Sequence, residues 1–319
     1  MNNTSIYYKY RLKWKKHRFV RKTLQMFGKT LEKPETYCGK TILSLEEANE
    51  YIEQRIRNSQ PFAVARFGAT ELNATWPWDS PFPIGKLHMK RMITNICDLS
   101  GFFPRDRHAL KRFAEEMRGY CSQMDAFAVW IYAMEDYCIT TYGNPQEIIW
   151  PMSLEPWYVE KPWTAALAGK KVLVIHPFMD TILAQYEKRD KLFDNPDVLP
   201  EFAELHVVKA VQTIAGNKDE RFADWFEALE WMFTEAMKVD FDVAIIGCGA
   251  YGFPLAAKIK AAGKQAIHMG GATQLLFGIK GSRWENHPII SKLFNEHWVY
   301  PAESERPSNA SIVEGACYW

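Results

Sequence analysis

The runs "KKVLVIHP", "FDVAIIG" and "QAIHMGG" constrain the fold more than any other feature of the chain. Each is apolar at successive rather than alternate positions, so its strand must be covered on both faces, as in a parallel sheet held between helical layers. Similar runs stand at "FAVARFG" (62–68), "AFAVWI", "EIIW" and "ELHVVKA", separated by helical periodicity. The clearest helix is "ERFADWFEALEWMFTEAMK", where Phe222, Trp225, Phe226, Leu229 and Phe233 share a face. Two junctions, "LAGKKVLVIHP" and "AAGKQAIHMGG", repeat one device: a helix end, a Gly suited to the left-handed cap, a Lys, then a strand. The expected architecture is α/β, a Rossmann-like, mostly parallel sheet flanked by helices, with a basic helical N-terminal extension.

We divide the 319 residues into that extension (1–40) and one α/β domain (41–319). Ser44 and Glu47 form a capping box that opens a helix with Leu45, Ala48, Ile52 and Ile56 inward. The prolines of "TWPWDSPFPIG" predict a loop without regular structure. Of the 39 Lys and Arg, nine fall in residues 1–31 with no acid beside them, leaving 30 basic against 38 acidic residues in a mildly acidic body. The segment 6–31 sets Val20, Leu24, Phe27 and Leu31 at helical spacing and interleaves Tyr7, Tyr8, Tyr10 and Trp14 with cations. It suits either an anionic membrane surface or docking on the body with a solvated basic face; nucleic acid is not an expected partner, because nothing else in the chain is basic. The six Cys form no paired pattern for zinc or disulfides, which fits a reducing cytoplasm. No apolar stretch approaches a membrane span, and no apolar segment follows the N-terminal charges as in a secretory signal. The expected location is cytoplasmic, with peripheral attachment to the inner face of the cell membrane if the basic segment binds lipid. Twelve Trp suit a cleft that stacks on rings or sugars, although an aromatic core accounts for most of them.

Ligands of such sheets bind beyond the carboxyl ends of the strands, which selects the loops "RFGATE", "HPFMD", "GCGAYG" and "GGATQ". Arg66 offers a bidentate phosphate clamp and Glu71 a base or metal ligand, unless the two form an ion pair that holds a turn. His176 is a proton carrier, a phosphate donor or a strand-end residue. Gly247, Gly249 and Gly252 match G-x-G-x-x-G before a helix, where backbone amides meet phosphates, and Tyr251 is placed to stack on a base or sugar; close helix–strand packing demands the same glycines. The following strand, Gln265–Gly271, lacks the acidic residue that would hold a ribose, and it is the last of the strands, so NAD is not the leading ligand. Gly270, Gly271, Gln274 and Arg283 complete the candidate donor and phosphate contacts.

Taken together, "ARFGATE", "GKKVLVIHP" and "IIGCGAYGFPLAAKIKAAGKQAIHMGG" resemble the GT-D glycosyltransferases of bacterial glycan-assembly clusters, over about residues 60–285. The resemblance implies a Rossmann-like fold that binds a nucleotide sugar and extends a glycan or lipid-linked acceptor in surface polysaccharide or glycoprotein biosynthesis, with a D-x-E element at the donor or metal site. Arg66, Gly68 and Glu71 match that family's pattern. Ala69 replaces its Asp, which weakens a Mn or Mg site unless Asp79 or Asp180 substitutes, and His268 stands at its late acidic position. The alternatives are a non-catalytic nucleotide-sugar-binding or scaffold protein, suggested by Ala69, and an NAD(P)-dependent sugar-modifying oxidoreductase, suggested by the glycine triad alone.

Overall fold

A long helix, α1 (Asn3–Met26), precedes the small antiparallel hairpin β1 (Thr36–Tyr37) and β2 (Lys40–Thr41) in the computed structural model, which describes residues 3–30, 32–313 and 315–319. The capping box then opens α2 (Leu45–Arg57): the Ser44 hydroxyl accepts the Glu47 amide at 3.2 Å and the Glu47 carboxylate accepts the Ser44 amide at 2.9 Å. The strand β3 (Phe62–Ala65) leads into α3 (Ala69–Thr75), α4 (Lys86–Ser100) and α5 (Arg107–Cys121). After these come β4 (Ala126–Ala128), α6 (Glu135–Tyr142), β5 (Glu147–Ile149), β6 (Lys171–His176) and α7 (Met179–Tyr186). The chain continues through β7 (Glu204–Lys209), α8 (Trp225–Met237), β8 (Val243–Ile246), α9 (Gly252–Ala261), β9 (Gln265–His268) and α10 (Thr273–Leu276).

Strands β3 to β9 form a seven-stranded sheet in the order β5-β4-β3-β9-β8-β6-β7, and every neighbouring pair is parallel. The continuous apolar runs explain this. Along β8, Ala244 and Ile246 enter one hydrophobic core while Val243 and Ile245 enter the other, so both faces are sealed. One core packs under α3, α4, α5, α8 and α9; the other lies beneath α2, α7, α10 and the C-terminal turns. Gly169 and Gly263, at the two repeated junctions, take φ values of 69° and 86°, the left-handed conformation that closes a helix before the next strand.

The structure adds to the sequence reading at three points. Residue 40 lies within the hairpin, and the residue after the hairpin, Ile42, bridges Ile148 of β5. The proline-rich loop contains one short 3₁₀ turn, Trp76–Asp79, because Pro77 fits the first turn of a helix. Of the apolar residues at helical spacing, Val20 and Phe27 are exposed and Leu24 is half-buried, while Leu31 lies outside the described residues. Instead Tyr7 and Trp14 are buried and Tyr10 packs beside them, since these rings remove more apolar area from water. Trp14 Nε1 donates to Asp136 Oδ1 at 2.7 Å, and Lys13 pairs with the same carboxylate.

Candidate functional site

Because the seven strands run one way, their carboxyl ends share a rim, and a cleft of about 530 Å³ opens there. Arg66, Glu71 and Gly249 all line it, although about 180 positions separate the first from the last.

Glu71 stands in the first turn of α3, with Gly68 as the N-cap residue. Its carboxylate is buried, and the Thr70 hydroxyl donates to Oε2 at 2.9 Å. Gly68 leaves room for the carboxylate where it stands, since a Cβ there would lie 1.8 Å from Oε2. Arg66 crosses the top of the sheet, where Nε donates to the Met269 carbonyl at 3.1 Å and the guanidinium lies 5.7 Å from the Trp130 ring centre. Gly270, at φ 70°, lets that guanidinium pass, because a Cβ would sit 1.8 Å from Nη2. Among the described residues Arg66 and Glu71 form no ion pair, and the terminal nitrogens of Arg66 make no hydrogen bond. Two donor groups therefore remain for a ligand.

The other candidates divide between the cleft wall and its support. Gly247 and Gly249 approach neighbouring backbone: a Cβ would meet the Gly270 carbonyl at 2.6 Å in the first case and the Ser100 carbonyl at 2.9 Å in the second. Gly252 does not line the cleft, because its missing side chain makes room for the His268 ring, 2.3 Å from the would-be Cβ. Tyr251 is not free to stack on a ligand: it is buried, with its ring 5.0 Å from Trp225 and nearly parallel to it at 10°. Gln274 is also structural, its Nε2 donating to the Lys280 carbonyl at 2.8 Å and the Tyr318 carbonyl at 3.2 Å. Gly271 lies under the Tyr318 ring, and Arg283 Nη1 donates to the Tyr318 hydroxyl at 3.0 Å.

His176 lines the cleft but is not poised to carry a proton at neutral pH. Its Nδ1 accepts the Phe178 amide at 3.1 Å, and burial pushes its protonation down to about 3. His268 is held neutral in the same way, by burial first and the Arg66 charge second, at about 3. Neither substitute carboxylate reaches the cleft: Asp79 pairs with Arg118 at 3.0 Å, and Asp180 lies outside the lining. Among the described residues no group of three or more His, Cys, Asp and Glu is placed to hold a metal. Glu71 alone, with Ala69 where a partner carboxylate would stand, does not fit a divalent cation that demands several hard oxygen ligands.

Several cleft features have no sequence signal. The run "AFAVWI" reads as one strand, yet β4 stops at Ala128 and the chain turns through Ile131 at φ 59° and Met134 at φ 68°. Buried Glu135 holds this turn by accepting the Trp130 amide at 3.3 Å and the Tyr132 amide at 3.0 Å. The turn sets a partly exposed ring pair, Trp130 and Tyr132, in the cleft with centres 6.1 Å apart. Glu155, between β5 and β6, feels the Arg66 charge; burial pushes its carboxyl up to about 7 and Arg66 opposes the rise. The C-terminal segment supplies a wall, with Trp319 against Phe178 at 5.9 Å; its Glu314 lies outside the described residues.

No protein-family model matches the chain, and no curated protein matches it. Two solved structures are similar to it. One is described as the highly conserved domain of unknown function 1792 with a distinct glycosyltransferase fold, at 12% identity and a TM-score of 0.41 over 72% of this chain and 77% of that one. The other, a selenomethionine-substituted structure of the same domain, gives 12% identity and a TM-score of 0.36 over 74% and 79%.

Proposed function

We propose that the cleft binds a nucleotide sugar and transfers its glycosyl group to a hydroxyl of a glycan or lipid-linked acceptor. In that reaction the bond from the anomeric carbon to the diphosphate breaks, a bond to the acceptor oxygen forms, and the hydroxyl proton must be taken up. Arg66 would hold the leaving diphosphate through its terminal nitrogens, where stabilising the growing negative charge lowers the barrier. The amides around Gly249 add dipoles beside it. Glu71 would accept the proton, oriented by Thr70. Trp130 and Tyr132 offer ring faces to the base or to a sugar. No step is assigned to a divalent cation. The observation that carries the reading is an arginine that, among the described residues, makes no ion pair, on the rim that also presents a buried glutamate.

The test is calorimetry with a panel of nucleotide sugars, followed by detection of nucleoside diphosphate release in the presence of acceptor. Glu71→Gln is expected to lower kcat about 10²-fold or more with donor affinity retained. Arg66→Ala is expected to weaken donor binding about tenfold or more, with Arg66→Lys recovering only part of it. Absence of binding to every donor would overturn the proposal. Ala69 favours a second reading, a nucleotide-sugar-binding protein without turnover, and this would be distinguished by binding that survives with no diphosphate release and no effect of Glu71→Gln.

A further inference from the structure

Helix α1 has two faces, and the body covers only one of them. Tyr7, Tyr10, Trp14 and His17 turn inward, as their burial shows. On the opposite side Leu12, Phe19 and Met26 recur at every seventh position and are 63%, 73% and 84% exposed. A seven-residue step is close to two helical turns, so these side chains form a single apolar stripe directed away from the protein. Lys9, Lys15, Lys16 and Lys22 stand beside it, exposed, and α1 contains no acid. Such a stripe is costly in water and has no occupant among the described residues.

The surface does not end with the helix. Tyr8 meets Phe82 edge to face at 6.5 Å, bringing the loop before α4 alongside α1. Phe82 and Leu87 are 69% and 75% exposed, and Lys86 between them and Lys90 and Arg91 after them stand without an intervening acid. Two segments separated by more than fifty positions thus present the same chemistry side by side: large apolar side chains among unopposed cations.

We infer that this joint face docks the protein on an anionic lipid bilayer, with α1 lying in the plane of the interface. The apolar stripe enters the headgroup boundary, and the lysines meet lipid phosphates. Charge complementarity selects this occupant over a second copy of the chain, which would bring two unopposed lysine rows together. No helix among the described residues is long and apolar enough to cross a membrane, so attachment is to one surface. The docked side of α1 reaches the cleft through one turn of α6: Asp136 holds Trp14 and Lys13, while the adjacent Glu135 holds the amides of Trp130 and Tyr132.

The test is sedimentation of the full chain with phosphatidylcholine vesicles, with and without phosphatidylglycerol. Binding is expected only when the anionic lipid is present, and to weaken with added salt. Lys15→Gln with Lys16→Gln should lower the partition coefficient about 25-fold, at roughly fivefold per charge. Leu12→Ser with Phe19→Ser should lower it more than tenfold. Phe82→Ser with Leu87→Ser should also reduce it, which a helix acting alone would not predict. All of these side chains are exposed, so thermal midpoints should stay near that of the parent protein and certify folding. Equal binding to neutral vesicles, no binding to either kind, or variants without effect would overturn the inference. So would a concentration-dependent dimer that the Leu12 and Phe19 substitutions abolish, since the face would then belong to a second copy.

Discussion

Gly252 shows how a single position can belong to two readings. Its place in Gly247, Gly249 and Gly252 is that of a phosphate-binding glycine, yet the structure uses it to admit the His268 ring. Because that ring is buried and cannot swing aside, Gly252→Ala is expected to destabilise the protein by about 1–3 kcal/mol through overpacking. A lower midpoint in urea with an unchanged slope would check this; an unchanged midpoint would refute it. Gly247, Gly249, Gly270 and Gly271 are explained by similar close approaches, each to a different partner. The need for glycine was therefore legible from the residues, but which atom fills the space of each missing Cβ was not. Tyr251 failed as a stacking candidate for the same reason: only packing reveals that Trp225 already covers its ring.

At the scale of elements, the joint between α1 and α6 is decided by one buried carboxylate. Asp136 accepts from Trp14 Nε1 and from its own neighbour's amide, Tyr137, at 2.9 Å, and pairs with Lys13. Replacing it with Ala leaves the indole N–H without its acceptor, at a cost of about 1–3 kcal/mol. Asp136→Ala is expected to expose α1 to limited proteolysis well before the sheet unfolds, whereas equal resistance of the two chains would show that the rings alone hold the helix. The periodicity of α1 correctly announced a helix rich in cations. It did not announce which face docks, because the rings Tyr7, Tyr10 and Trp14 and the aliphatic Val20 and Leu24 both recur at helical spacing among cations. A similar limit applies to β4: "AFAVWI" carries strand propensity to its end, but the hydrogen bonds from Glu135 bend the chain after Ala128. Long-range partners outweighed local preference in both cases.

Across the whole molecule, buried ionisable groups set the response to acid. His176 and His268 bind protons near 3 when folded but near the ordinary histidine value when unfolded, so the unfolded state takes up more protons in between and stability falls as pH drops through that window. Glu135, pushed up to about 8 by burial, acts in the opposite direction above the ordinary glutamate range and adds no further change below it. The thermal midpoint is therefore expected to fall most steeply between about pH 4.5 and 3, where the histidines are unopposed by Glu135. His176→Asn, whose side-chain oxygen can still accept the Phe178 amide, should make that fall shallower. A fall of the same size in the variant would count against burial of His176 as its cause.

The amino-acid sequence by itself determined the parallel sheet, because uninterrupted apolar strands between capped helices have few other ways to bury both faces. It also placed the candidate loops around one rim, since a parallel sheet collects all its carboxyl termini on one side. Only the tertiary structure decided which residues of those loops remain available to a ligand: Arg66 and Glu71 stay unpaired with each other, whereas Gln274, Tyr251 and Gly252 are consumed by packing. The reason is that spacing along the chain specifies periodicity and local hydrogen bonding, while the competition for a buried surface or donor is settled among residues that meet only when the chain has folded.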